Sequence, residues 1–190
     1  MDIPQVNEDG KNILATLRAT RTLFEDVSKM LSTVDAMMRE RGWETRASNT
    51  CMADLSRTIQ SPDYWLPSLV FRYLRHKDMP TKLVAASVIL DLVEKPERVR
   101  EPLISGIVFD YGPGAEPGND WKYEYAGWHV WMPGSTDDGT PVSAEPKVVW
   151  PKDNVRALSV TSFALPLVVI TDSDALRGRV VEPLNELARH

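Results

Sequence analysis

Residues 13–38 read ILATLRATRTLFEDVSKMLSTVDAMM. Ile13, Leu17, Phe24, Val27, Leu31, Val34 and Met38 fall on alternating spacings of four and three, and Thr20 fills the one gap in the register. That is the heptad spacing of a long helix with one apolar stripe, which something must cover. The spacing predicts a helix over residues 11–41. Asp9 or Asn7 can accept from the free N–H groups at its start. Gly42 can end it in the left-handed conformation, and Arg39 and Arg41 in the last turn suit the helix dipole.

Leu14, Leu23, Met30 and Met37 widen the stripe on its flanks. A strict coiled coil needs only the narrow seam, whereas a wider face suits a globular core or a bundle. The helix is therefore read as the spine of the fold, packed on strands of its own chain, with assembly left to the surface that the spine leaves exposed. Leu17, Phe24, Leu31, Val34 and Met38 are the interface candidates if a second chain covers the stripe instead.

Downstream, the segment 44–60 is polar and weakly patterned, with room for a short helix around 52–59. Ser61-Pro62 has the form of a helix start. Trp65, Leu66, Leu69, Val70, Tyr73 and Leu74 then recur at helical spacing, which predicts a second helical segment over 63–76, kinked or delayed by Pro67. Arg72, Arg75, His76 and Lys77 crowd its end as a solvated cationic cluster.

Beyond Pro80 the character changes. Residues 83–93 are rich in Val, Ile, Leu and Ala without a helical stripe and read as a strand buried on much of both faces, and residues 103–111 read as a second strand, interrupted by Gly106. Residues 121–132 form a third strand whose large side chains change parity at Ala126-Gly127, as a β-bulge would produce. Residues 142–150 and 155–170 are further strand candidates, with Pro166 arguing for an edge or a break. A short helix over 173–188 carries Leu176, Val180, Leu184 and Leu187 on one face and should bend at Pro183. Helices, then strands, then a helix predict an α+β fold: one domain with a helical part over 1–79, a mostly antiparallel sheet of about four to six strands over 80–172 and a C-terminal helix over 173–190.

Composition excludes some functions. The net charge of −5 disfavours broad binding to a phosphate backbone. The acidic start lacks a basic, then apolar, leader, and the apolar runs are far shorter than the roughly 20 residues that span a bilayer, so a cytoplasmic protein away from membranes is expected. Cys51 is the one cysteine, so no intrachain disulfide forms. Walker and dinucleotide glycine patterns are absent, as are a G-x-S-x-G elbow and a helical H-E-x-x-H. His76, His129 and His190 are far apart, so no cofactor or metal is expected.

Two chemical alternatives carry named residues. Asp110 ends an apolar run and Asp120-Trp121-Lys122 opens the next. In outline this resembles the PD-(D/E)xK nuclease pattern, which implies Asp110 and Asp120 as magnesium ligands and Lys122 as the group that orients water or stabilises developing charge. Acid-x-lysine triplets also occur at Glu145 to Lys147 and at Asp9 to Lys11, so the pattern is one that chance supplies in this composition. Trp121, Tyr123, Tyr125, Trp128 and Trp131 put large flat surfaces into one strand, where they can stack a ligand ring or fill a core. Apolar surface is abundant and a coherent catalytic constellation is not. The expectation is a non-enzymatic interaction or assembly subunit using the long helix or the aromatic sheet face, with a protein partner or self-association. A small-molecule sensor with a Trp/Tyr-lined pocket and the magnesium nuclease stand as alternatives.

Overall fold

The structure is a computed structural model, and it describes residues 8–45, 52–53, 58–91, 101–115, 145–149 and 157–190. Helix α1 spans Glu8–Arg39. Its 32 residues give a rod about 48 Å long. The chain leaves it through Gly42, whose φ is 88°, and the Gly42 N–H donates to the Arg39 carbonyl at 3.0 Å. This is the expected left-handed glycine stop. The start lies three residues ahead of the expected one, so Asp9 sits within the first turn.

Seven strands follow among the described residues: β1 (Trp43–Thr45), β2 (Met52–Ala53), β3 (Leu69–His76), β4 (Met79–Ile89), β5 (Leu103–Asp110), β6 (Lys147–Val149) and β7 (Ser159–Pro166). All pairings are antiparallel, in the order β1-β3-β4-β5-β7-β6, with β2 also on β3. Two helical stretches close the chain, α2 (Ser173–Leu176) and α3 (Glu182–Arg189), joined by a π-helical turn at Arg177–Val181. In that turn the Glu182 N–H reaches the Arg177 carbonyl, five residues back. The widened turn directly precedes Pro183, which has no N–H and would crowd a regular turn. The expected bend takes this form.

The α+β arrangement, the long first helix, the antiparallel sheet and the short last helix are as expected. The second helical segment is not. Only Pro62–Tyr64 winds, as a 3-10 turn, and residues 69–76 are strand β3. Trp65 and Leu66 are exposed, while Leu69, Phe71 and Tyr73 enter one core and Val70 and Leu74 another. A strand buried on both faces and a helix with a broad face both place apolar residues in adjacent pairs, and tertiary pairing decided between them. The helical part therefore ends at Arg39 rather than near 79, and β1 to β3 lie within the segment assigned to it. Met52–Ala53, placed in a short helix by its pattern, is strand β2.

The sheet separates two clusters. On the helix side, Val70, Leu74, Val84, Val88, Ile104, Val108 and Phe163 pack against Val27, Leu31, Val34, Met37 and Met38 of α1 and against Leu176, Val180, Leu184 and Ala188. On the other side lie Leu69, Phe71, Tyr73, Leu83, Ile89, Leu103, Ile107, Phe109 and Val160. Gly106 explains how the C-terminal helix comes so close. A Cβ there would meet the Phe163 ring at 2.5 Å and Leu184 Cδ1 at 3.1 Å.

Candidate interaction surface

Helix α1 is longer than the body that packs on it. From Val27 onward its seam is inside: Leu31 is 1% exposed, and Val34 and Met38 are fully buried. N-terminal to Phe24 the same seam is in solvent, with Ile13 63%, Leu17 58% and Leu14 46% exposed. Leu23 is exposed too, and Phe24, at the boundary, is half-buried against the core. The five sequence candidates thus divide. Leu31, Val34 and Met38 belong to the core, Leu17 projects from the arm, and Phe24 joins the two.

The arm's polar positions keep to themselves. Thr20 occupies a seam position, and its hydroxyl donates to the Thr16 carbonyl at 2.9 Å, so the hydroxyl is satisfied within the helix. Thr16 does the same to Asn12 at 3.0 Å. Lys11 pairs with Glu8 and Lys29 with Asp26, both off the seam.

At the arm's base lies an open cleft of about 460 Å³. Leu23, Val27 and Met30 form one wall, and Leu167, Ile170 and Leu176 the other. Asp26, Lys29 and Asp172 stand at its rim. Asp172 caps α2 by accepting from the Ala175 N–H at 2.8 Å, and this bond, with a second from Thr171, holds its carboxyl below the ordinary aspartate range.

Three contacts that the sequence did not announce anchor the C-terminal end of α1. Asp35 meets Arg72 of β3 as a buried ion pair. Trp43 Nε1 donates to Asn185 Oδ1 at 3.1 Å across 142 positions of sequence, and Arg41 pairs with Glu182. The ring of His76 stands edge-on to Trp43, with centroids 5.2 Å apart. Its Nδ1 accepts from the Asp78 N–H and its Nε2 lies 3.2 Å from the Arg41 carbonyl, an arrangement that fits a neutral ring protonated on Nε2. The cationic cluster expected at a helix end is thus dispersed along a strand, with Arg72 drawn inside.

Asp110 ends β5 as expected of the nuclease outline, but it is engaged. Its carboxylate accepts from Lys82 Nζ at 2.7 Å and from the Gly112 N–H at 2.9 Å. Partial burial pushes its pKa up, and these two hydrogen bonds with the Lys82 charge outweigh that, leaving it lowered. Asp120 and Lys122 lie outside the described residues, as do the aromatic candidates Trp121, Tyr123, Tyr125, Trp128 and Trp131 and the bulge at Ala126-Gly127. Among the described residues no group of three or more His, Cys, Asp and Glu side chains is placed to hold a metal ion. No helix among them is long and apolar enough to cross a membrane.

On the sheet face away from α1, Ser87 and Ser105 are cross-strand partners and Ser162 lies beside Ile107. All three are buried, and among the described residues their hydroxyls have no hydrogen-bond partner. Comparison with known protein families, curated proteins and solved structures finds no match for this chain.

Proposed function

We propose that this protein is a non-enzymatic interaction subunit that assembles through the exposed N-terminal arm of α1. One observation carries the reading: a single heptad seam runs through the helix, and among the described residues nothing covers its N-terminal part, where Ile13 and Leu17 on the seam and Leu14 and Leu23 on its flanks are exposed. A helical stretch of this length is marginal in water without tertiary packing. Contiguous exposed apolar surface of this kind marks a place where another protein docks. Seam spacing of four and three suits a helix as the docking element. The reading places the protein in the cytoplasm, where the lone Cys51 stays reduced.

A photo-crosslinking amino acid in place of Leu17 tests this in living cells. It should yield a protein adduct, while the same group in place of Thr22, off the seam, should not. Absence of any adduct from the Leu17 position overturns the reading.

A second reading, a small-molecule sensor, is favoured by the buried hydroxyls of Ser87, Ser105 and Ser162. Buried polar groups without partners call for an explanation, and a bound hydrogen-bonding ligand is one. Thermal shift across a panel of metabolites and nucleotides tests it. A specific stabilisation that Ser105→Ala removes supports it, and a flat panel removes it.

A further inference from the structure

We infer that His76 is a pH-operated latch between the tip of the β3–β4 hairpin and the end of α1, closed when the ring is neutral and released when it gains a proton. The inference goes beyond the interaction reading above and does not depend on it. It rests on two backbone groups that cannot exchange roles. The Asp78 N–H donates to His76 Nδ1 at 3.2 Å, and the Arg41 carbonyl lies 3.2 Å from His76 Nε2. An amide N–H only donates and a carbonyl only accepts. Together they select one form of the ring, neutral with its proton on Nε2. In that form the ring ties Asp78 of the hairpin to Arg41 at the helix end.

A proton on Nδ1 removes the acceptor. Two N–H groups then face each other across the same 3.2 Å, and the Asp78 N–H loses its bond. The charged residues on the segments packed around the ring are Glu40, Arg41 and Glu44 between α1 and β1, Arg75, Lys77 and Asp78 in the hairpin, and Glu182 of α3 beyond Arg41. Arg41 is engaged by Glu182 and lies 3.9 Å from Glu40, and Glu44 stands opposite Arg75 in the β1–β3 register. Among the described residues no carboxylate pairs with the ring, whose contacts are with backbone groups and Trp43. The added charge therefore gains no partner in the closed form.

Local geometry decides what moves. β3 and β4 keep one register from Leu69 opposite Ile89 to Arg75 opposite Leu83. The register breaks between Arg75 and His76, and His76 pairs with Met79 instead. The tip beyond this break is a separate short pairing, with Lys77 and Asp78 exposed. The ring has no room on its other side: a Cβ on Gly42 would come within 2.5 Å of Nε2. It also stands edge-on to Trp43, which is fully buried with its indole N–H on Asn185. The exposed tip is thus the part that yields, and Trp43 is the neighbour that registers the change. Imidazole is the side chain that ordinarily gains its charge between about pH 8 and pH 5. The latch is closed at the upper end of that range and opens as the pH falls through it.

NMR of the isotope-labelled full chain between about pH 8 and pH 5 tests this. At the upper limit the ring nitrogens of His76 should show the Nε2–H form. As the ring charges, exchange of the Asp78 amide, relative to the rate intrinsic to each pH, should rise roughly three- to tenfold, the size of one hydrogen bond. The Trp43 Nε1–H resonance should shift in step with the His76 ring. His76→Asn keeps an acceptor for the N–H two residues on, as asparagine does in turns, and does not titrate. In that variant the Asp78 amide should stay protected throughout. A ring that charges while the Asp78 amide and the Trp43 resonance stay fixed overturns the inference, and so does a ring carrying its proton on Nδ1 at the upper limit. An equal acid response in His76→Asn assigns the change to other groups and overturns it as well. The first two outcomes are read on the unaltered chain, so they decide the matter even if the variant fails to fold.

Discussion

Asp35 of α1 and Arg72 of β3 form an ion pair inside the helix–sheet interface, where both side chains are almost wholly removed from solvent. Among the described residues, Asp35 Oδ1 has no hydrogen-bond partner there. Removing one member of such a pair leaves a buried charge uncompensated and costs roughly 3–5 kcal/mol, whereas replacing both with apolar residues of similar volume is often neutral or stabilising. Arg72→Met alone should destabilise by that order in urea unfolding, and Asp35→Leu with Arg72→Met should recover most of the loss. If the double variant is no better than the single one, the pair is not what makes Arg72 necessary.

Gly42 is constrained twice. Its φ of 88° disfavours any side chain, and a Cβ would sit 2.5 Å from His76 Nε2. Gly42→Ala should cost at least the roughly 1–2 kcal/mol of a left-handed alanine. It should also disturb the edge-on contact of His76 with Trp43, visible as a change in tryptophan fluorescence. A loss of stability with unaltered fluorescence would confine the effect to the backbone.

Gly106→Val should be destabilising by overpacking, about 1–3 kcal/mol, because the new side chain enters the space of Phe163 and Leu184. Phe163→Leu in the same background should give part of this back. Failure of that rescue in thermal unfolding would point away from steric conflict as the cause.

The two halves of α1 should respond differently to the same substitution. Leu31→Ala opens a core cavity and should cost roughly 2–5 kcal/mol at any concentration. Leu17→Ala should fall within about 0.5 kcal/mol in the dilute monomer, as surface changes do. Under the proposed assembly through the arm, it should lower the melting temperature of the assembled form relative to the unaltered chain, because binding stabilises the folded form. Equal effects at both sites would contradict the division of the helix into core and arm.

Asp110 and Asp172 have lowered pKa values in the folded chain. Their contribution to stability is therefore complete above the ordinary aspartate value near 3.8 and is lost as the pH falls through their depressed folded values. Asp110→Asn and Asp172→Asn together should flatten the decline in stability between pH 5 and the acid limit of about pH 2–3, seen in urea midpoints. An unchanged slope would assign acid sensitivity to other carboxylates.

Much of this was legible in the residues, and the failures have physical causes. The seam, the glycine stop and the apolar runs of β4 and β5 are local patterns, so their elements follow from spacing alone. The run Trp65 to Leu74 satisfied two periods at once, and only pairing with β4 made it a strand. Where the sheet stops along α1 depends on how far the strands reach, which no residue of the helix encodes. Hence Leu17 and Leu31 look alike in sequence and differ wholly in environment. Trp43 with Asn185 and Asp35 with Arg72 are contacts between distant segments, and each residue taken alone resembles an ordinary surface or edge position.

One straight seam serving both core and arm makes α1 a shaft whose phase is inherited. A single residue inserted between Thr20 and Phe24 would turn the arm by about 100° relative to the body without altering a side chain in either. Seven inserted residues would bring it back into phase and lengthen it by about 10 Å. The direction in which this protein presents its arm is thus set by counting residues along a helix, and insertion of a whole heptad leaves that direction nearly unchanged.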